Sequence, residues 1–506
     1  MRLFRGFRTG ALALTISTSA FTAVVATASP ASAGVTVTGT GSSYSAVAIN
    51  NWVGQVSNLY GLSVNYQTSS SVYGLDNFAE RQVNFGASEI GYSSGQASTT
   101  PNFAYQYLPD VAGATCMMFQ VPSATQQPIQ DLKLDSDTMM GIFSGLITNW
   151  NDAKIKALNP DQMLPNHPIT AVYRTDPSGD NYLFSDYLRA MQPSAWAAYT
   201  STLSFPPGSN ASWPVPQGST SAGNYNFSGF VGQNGSDNAS NYVAANPYAI
   251  TYVETAYAIL HGQPCAAVRN ASGNFVAPSS ESDALALTHD KLQANFEQDL
   301  SDVYTAPEGA AYPISAYSYI VTQTTGLDPA VGKVLGKFIA FMACQGQISA
   351  GQLGYSPIPP NLVAVAFDAI KRLPGADAPP ALTGDACPNP YLTGAATYVG
   401  GPSVAGSGGE AANAAALAAG VSAKSADSVS KGLLAKKHGG VSAAPGQTAG
   451  SALNAAVSGM SGTKPSTPVV LGLTAAFLLL VAVPPTVGVM RRRRVAQSLD
   501  EGGDES

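Results

Sequence analysis

Three times along the chain, a short run of alternating apolar and polar residues leads through a turn of small residues into a run with helical period. The first begins with Val35-Thr36-Val37-Thr38, whose alternation predicts a strand, and passes through Gly39-Thr40-Gly41-Ser42-Ser43-Tyr44. A helix is then expected from about Ser45 to Tyr60, with Ile49, Trp52, Val53 and Val56 on one face and Gly61 as its stop. The second unit has a strand over Ser63 to Gln67, the turn Ser69-Ser70-Ser71, and a helix through Leu75 and Phe78. The third has a strand over Ile169 to Tyr173, the turn Arg174-Thr175-Asp176-Pro177-Ser178-Gly179, and a helix from about Asp180 to Met191. Strand-to-helix units repeated in this way predict α/β architecture.

The two ends of the chain break this pattern. Residues 1–33 read as a signal peptide, with Arg2, Arg5 and Arg8 before an apolar segment from Ala11 to Val25 and a small-residue cleavage site at Ala31-Ser32-Ala33. From Val469 to Met490 an uncharged apolar run has the length that crosses about 30 Å of hydrocarbon. Arg491 to Arg494 follow it, which by the positive-inside rule puts the tail 491–506 in the cytoplasm and the rest of the mature chain outside. Residues 393–466 are rich in Ala, Gly and Ser, without an aromatic residue from Gly400 onward, and are expected to form a disordered stalk. That leaves 34–392 as the folded unit. With 11% charged residues and a net charge of −7, nothing suggests a nucleic-acid partner. Four Cys in a chain with a signal peptide predict two disulfides, with three connectivities open. Neither they nor the scattered His show metal spacing, so no metal or other cofactor is expected.

The strand-to-helix junctions carry the candidate chemistry. The first N–H groups of a helix lack intrahelical partners and lie at the positive end of its dipole, so a tetrahedral oxyanion satisfies them. Ser hydroxyls at the same junctions donate further hydrogen bonds, and Gly lets the backbone approach closely. Arg174 adds a fork of donors, with Asp176 placed to hold the guanidinium. Any single junction reads as ordinary Ser capping; three together, one with Arg and Asp, point to an anion site.

The blocks Gly39-Thr40-Gly41-Ser42-Ser43-Tyr44, Val64-Asn65-Tyr66-Gln67, Asn84-Phe85-Gly86-Ala87-Ser88-Glu89, Ile147-Thr148-Asn149-Trp150-Asn151-Asp152, Arg174-Thr175-Asp176-Pro177-Ser178-Gly179 and Tyr252-Val253-Glu254-Thr255-Ala256-Tyr257-Ala258 resemble, in order, those of the phosphate-binding proteins of bacterial phosphate ABC transporters. The resemblance runs from about Val37 to Leu373. It implies a two-lobed periplasmic-binding-protein fold of type II, with two hinge-crossing strands near Val111 to Cys116 and Pro313 to Tyr317. Lobe one would be about 34–112 and 315–392, lobe two about 113–314, and this division favours Cys116–Cys265 and Cys344–Cys387 as the disulfides. It implies inorganic phosphate or a similar small oxyanion as ligand, captured by lobe closure without chemistry, and ABC permease subunits as partners. The ligand residues it implies are Ser43, Tyr44 (through its N–H), Ser71, Glu89, Arg174, Ser178, Gly179 and Asp180.

Two positions depart from the family pattern. Glu89 stands where the family has the Asp that accepts the proton of hydrogen phosphate, and Asp180 stands where it has a Thr hydroxyl. An ionised carboxylate about 4 Å from a phosphate charge costs on the order of 4 kcal/mol per charge at an effective dielectric of ~20. Asp180 is therefore expected either to weaken the site or to turn outward and leave only its N–H at the ligand. Two other functions compete. One is a membrane-anchored surface interaction or sensing module with an altered ligand, for which the 209–241 segment, with Tyr225, Phe227 and Phe230 exposed, offers a partner surface. The other is a secreted serine hydrolase, because Gly91-Tyr92-Ser93-Ser94-Gly95 fits the nucleophile-elbow pattern, with His167, His261 or His289 as base.

Overall fold

The computed structural model describes residues 34–438. The signal peptide, the stalk beyond residue 438, the apolar run 469–490 and the tail 491–506 lie outside the described residues. Among those described, no helix is long and apolar enough to cross a membrane.

Eight strands form one mixed sheet: β1 (Thr36–Gly41), β2 (Ser63–Thr68), β3 (Phe85–Ser88), β4 (Tyr105–Gln120), β5 (Thr170–Arg174), β6 (Phe230–Gln233), β7 (Ala249–Glu254) and β8 (Ser315–Gln323). Their order is β2-β1-β3-β8-β4-β7-β5-β6. The long strand β4 joins two halves of this α/β fold. Its residues Tyr105 to Ala114 pair with β8, and Thr115 to Gln120 pair with β7. The two segments expected to cross between halves lie side by side, with Ser315 to Tyr317 opposite Ala112 to Ala114.

In the first half, β1 pairs in parallel with β2 and β3, connected through α1 (Ala46–Tyr60) and α2 (Ser71–Ala79). Helix α1 buries Ile49, Trp52 and Val56 at helical spacing and ends on Gly61 in the left-handed conformation, as the pattern of the sequence predicts. In the second half, β5 leads into α3 (Gly179–Met191), β6 into α4 (Gly235–Ala245) and β7 into α5 (Thr255–His261). Every one of these helices starts at the carboxyl end of a sheet strand, so the helix N-termini gather along the line where the halves meet. Cys116–Cys265 ties β4 to the segment after α5, and Cys344–Cys387 ties the end of the helix Pro329–Ala343 to the chain before Pro390.

Two expectations need correction. The aromatic residues of the 209–241 segment are not exposed: Tyr225 and Phe227 are buried against Tyr199, Phe230 is half-buried, and the segment supplies strand β6 and the start of α4. The stalk does not begin at 393. Ser403–Val404 pairs in parallel with Lys291–Leu292, and the helices Gly406–Ala418 and Ala426–His438 follow. The first of these helices buries Gly409, Ala412 and Ala416 against the helix Pro360–Arg372. Asn361 Nδ2 donates to Pro402 O (3.0 Å) and Asn413 Oδ1 (3.2 Å), and the Ala310 N–H donates to Ser430 Oγ (2.9 Å). Lack of large side chains prevents a segment from making its own core, but a face of Gly and Ala lets a helix lie close on a core that already exists.

Candidate functional site

The first half contributes hydroxyls and one carboxylate. Gly41 has φ 136°, and a Cβ there would lie 2.1 Å from Ala87 O, so only Gly lets β1 turn this close to β3. That turn carries Ser42, Ser43, Tyr44 and Ser45, all of them buried, into the sheet junction. Ser70 caps α2 by accepting the Tyr73 N–H (3.2 Å), which frees its neighbour Ser71 for other contacts. Glu89, just past β3, receives them. Ser42 and Ser318 donate to its Oε1, the latter at 2.8 Å, and Ser71 donates to Oε2 at 2.7 Å. No cation touches this carboxylate in the described residues. Burial raises it to about 7, against the pull of the Ser42 and Ser71 hydrogen bonds.

The second half is ionic. Arg174, at the end of β5, is buried, and its Nε donates to Asp176 Oδ1 at 2.8 Å while Nη2 binds Asp176 Oδ2. Nη1 donates to Asp180 Oδ2 at 2.5 Å and to Ser236 Oγ, at the start of α4, at 2.7 Å. Asp176 Oδ1 also accepts the Gly235 N–H at 2.9 Å. Asp176 is held below the usual carboxylate range, since the Arg174 bonds outweigh its burial. Asp180 is pushed up by burial despite Arg174, and its Oδ1 is buried without a hydrogen-bond partner. Asn181 fastens the turn by donating to the carbonyls of Arg174 (3.2 Å), Asp176 (3.1 Å) and Ala211 (2.8 Å).

The halves meet directly. The Gly179 N–H donates to Ser71 Oγ at 2.9 Å, Ser43 Oγ lies 2.8 Å from Ser236 Oγ, and Tyr257 donates to Ser43 O at 2.7 Å. A Cβ on Gly179 would lie 2.1 Å from Glu89 Oε2 and 2.8 Å from Ser71 Oγ. Glu89 also borders a polar cavity of about 290 Å³ lined from both halves, including Ser93, Tyr182, Asp186, Arg189 and Glu297.

Of the residues singled out from the sequence, Ser43, Ser71, Glu89, Arg174, Gly179 and Asp180 converge on this junction, with Asp176 behind Arg174. Ser178 serves as a helix cap, accepting the Asn181 N–H at 3.2 Å. The Tyr44 ring lies against Gly113, and its carbonyl accepts from Tyr355 OH at 2.6 Å. Asp180 does not turn outward; its carboxylate binds Arg174 instead. Ser42, Ser236 and Ser318 went unrecognised. Ser236 belongs to a fourth strand-turn-helix unit of the same kind, Phe230 to Ala245, which the pattern of the other three could have revealed. Ser318 carries no such signal, because it owes its direction to a register shift between Tyr317 and Tyr319 in β8.

The nucleophile-elbow pattern lacks its context. Tyr92–Ser94 is a single 3₁₀ turn, and Ser93 Oγ donates to Glu297. The side chains of His167, His261 and His289 hydrogen-bond elsewhere, with Pro168 O, Ser240 and Glu308 respectively.

A sheet shared by two halves, with helix N-termini, hydroxyls and an Arg converging at the junction, is the fold and site of the periplasmic-binding-protein-like class. Residues 24–345 match the PBP superfamily domain, and the chain belongs to that superfamily, within the family of the phosphate-binding protein PstS. It is 30% identical over 325 residues to the phosphate-binding protein PstS of Xylella fastidiosa, covering 64% of this chain and 81% of the relative. The PstS of Methanocaldococcus jannaschii is 25% identical over 347 residues, covering 66% and 85%. Among solved structures, a high-affinity periplasmic phosphate-binding protein with bound phosphate aligns with a TM-score of 0.50 at 17% identity, covering 66% of this chain and 93% of that one. The ancestral soluble variant of the human phosphate-binding protein aligns with a TM-score of 0.51 at 16% identity, covering 68% and 99%. These two structures share the fold.

Proposed function

We propose that this chain is an extracytoplasmic solute-binding protein that captures inorganic phosphate between two hinged lobes and passes it to an ABC permease. The observation that carries the reading is the convergence of Ser71 and Glu89 from one half on Gly179 and Arg174 from the other. A ligand that bonds both sets favours the closed arrangement through its differential affinity. Phosphate binding by the PstS relatives supports the choice of anion. Two disulfides fit an oxidising compartment, and the apolar run 469–490 would hold the protein at the membrane. Capture requires no bond-making step, so the activity is binding, without catalysis.

One observation favours a second reading, an interaction module with an altered ligand. Asp180 occupies the Arg174 Nη1 donor that an oxyanion would use. Calorimetric titration of the purified full-length chain separates the two. Phosphate is expected to bind, sulfate to fail, and Arg174→Ala to abolish the heat. Silence toward phosphate at both acid and alkaline pH would exclude the uptake reading.

A further inference from the structure

Resting on the phosphate reading, we propose that Asp180 is a second proton acceptor in the site, so that the complex holds two protons and selects dihydrogen phosphate over the hydrogen phosphate dianion. Glu89 is the first acceptor. It borders Gly179 from one side, and Asp180 Oδ2 binds Arg174 from the other. Asp180 Oδ1 is the feature that calls for a ligand: it is buried, belongs to a carboxylate only 1% exposed, and meets no donor among the described residues. An unsatisfied buried oxygen is costly, and a ligand P–O–H would satisfy it. A dianion would bring only one such donor and would add a second charge beside a carboxylate.

The groups facing Asp180 from every side agree with this assignment. Among the described residues Arg174 is the one cation on it, and Asp176 already takes two of that guanidinium's donors. Asp176 is the carboxylate that bears on Asp180, Glu89 and Glu254 on the neighbouring turns are both raised by burial, and the buried phenols of Tyr44, Tyr252 and Tyr257 stay protonated. One positive charge therefore faces two carboxylates, and a further dianion leaves the site strongly negative. Wherever the two protons reside, on the ligand or on Glu89 and Asp180, the complex must contain both. Burial raising both carboxyls above their ordinary range fits that count.

The test is proton linkage, read by calorimetry of phosphate binding to the full-length chain from about pH 6 to about pH 9. Above neutral pH, free phosphate is the dianion, so forming a two-proton complex takes up one proton and affinity falls about tenfold per pH unit. Asp180→Thr and the near-isosteric Asp180→Asn leave a one-proton complex. Both are expected to bind with little pH dependence above neutral, and about tenfold or more tighter than the parent protein at the alkaline end. An affinity of the parent protein that is flat across this range, or a slope that survives in both variants, overturns the proposal while leaving phosphate as the ligand. Silence of parent and variants at every pH overturns the phosphate reading itself, and the two-proton site with it.

Discussion

The two halves of the site bury the same chemical group and stabilise it by opposite means. Glu89 lies among three Ser hydroxyls, with no cation on it among the described residues, and burial brings its carboxyl to about 7. Asp176 and Asp180 share Arg174, which keeps Asp176 ionised well into the acid range. A hydroxyl cluster serves a charged or a neutral carboxyl almost equally well, because each hydroxyl rotates to suit. An Arg bound to two carboxylates has no such freedom. The first half can therefore exchange a proton at modest cost, while in the second Arg174 holds the charge of Asp176 in place.

The sharpest way to break this contrast is to remove the charge from each side in turn. Arg174→Ala leaves Asp176 and Asp180 buried without a counter-ion, for which we expect a loss of about 3–5 kcal/mol in urea unfolding at neutral pH. Glu89→Gln keeps an acceptor and adds donors that the neighbouring hydroxyls can accept, so its cost is expected within about 1 kcal/mol. Equal losses in the two variants would show that the hydroxyls fix the charge of Glu89 as firmly as Arg174 fixes its own partners.

Next in size is the dependence of stability on pH. Burial pushes Asp110, Asp283 and Asp290 each to about 8 and Glu89 to about 7. Unfolded carboxyls titrate near 4, so between about pH 4 and 8 the folded state binds more protons than the unfolded one, and stability falls as pH rises. Asp176, lowered by Arg174, acts in the opposite sense: its contribution is complete above the unfolded value near 4 and is lost as pH falls from there through its folded value. The midpoint of thermal unfolding is expected to drop by roughly 5 °C or more from pH 5 to pH 8. Glu89→Gln should flatten the part of that curve near 7, and Arg174→Ala should steepen it. A profile rising over this range would mean that these acids are ionised inside the fold.

How far this contrast was legible from the sequence differs between the halves. Strand-turn-helix spacing exposed three of the junctions, and Arg174 with Asp176 two residues later announced an ion pair within one turn. The fourth junction, leading to Ser236, was hidden by a polar segment that looks like surface decoration until Tyr225 and Phe227 are seen in the core. Asp180 could be placed by position but not by direction. Whether its carboxylate faces Arg174 or solvent depends on how α4 brings Ser236 alongside, a contact between residues 56 apart. The C-terminal helices failed for a related reason: their Gly and Ala face means nothing without the helix Pro360–Arg372 that receives it.

A third expectation concerns the seam between the halves. Gly179→Ala places a methyl 2.1 Å from Glu89 Oε2 and 2.8 Å from Ser71 Oγ, where the halves are in contact. Overpacking of this kind costs about 1–3 kcal/mol. Glu89 rather than Arg174 must move to admit the methyl, so the damage is expected in the hydroxyl cluster. Phosphate affinity should fall together with stability, measured by calorimetry and urea unfolding on the same samples. Unchanged affinity would mean that the seam opens without disturbing the ligand contacts.

The smallest change separates support from charge most cleanly. Ser318 Oγ lies 2.8 Å from Glu89 Oε1 and 2.9 Å from Ser45 Oγ, aimed there by the irregularity in β8. Ser318→Ala removes one donor from a carboxylate that retains Ser42 and Ser71, and a hydrogen bond to a charged group contributes about 1.5–3 kcal/mol, against about 1 kcal/mol for a neutral one. If Glu89 is protonated over part of the neutral range, the measured loss should follow its titration, near 1 kcal/mol at pH 5 and larger at pH 8. The same substitution should raise the Glu89 pKa, because Ser318 favours the ionised form. A loss independent of pH would place Glu89 permanently in one protonation state, and the first half of the site would then be as fixed as the second.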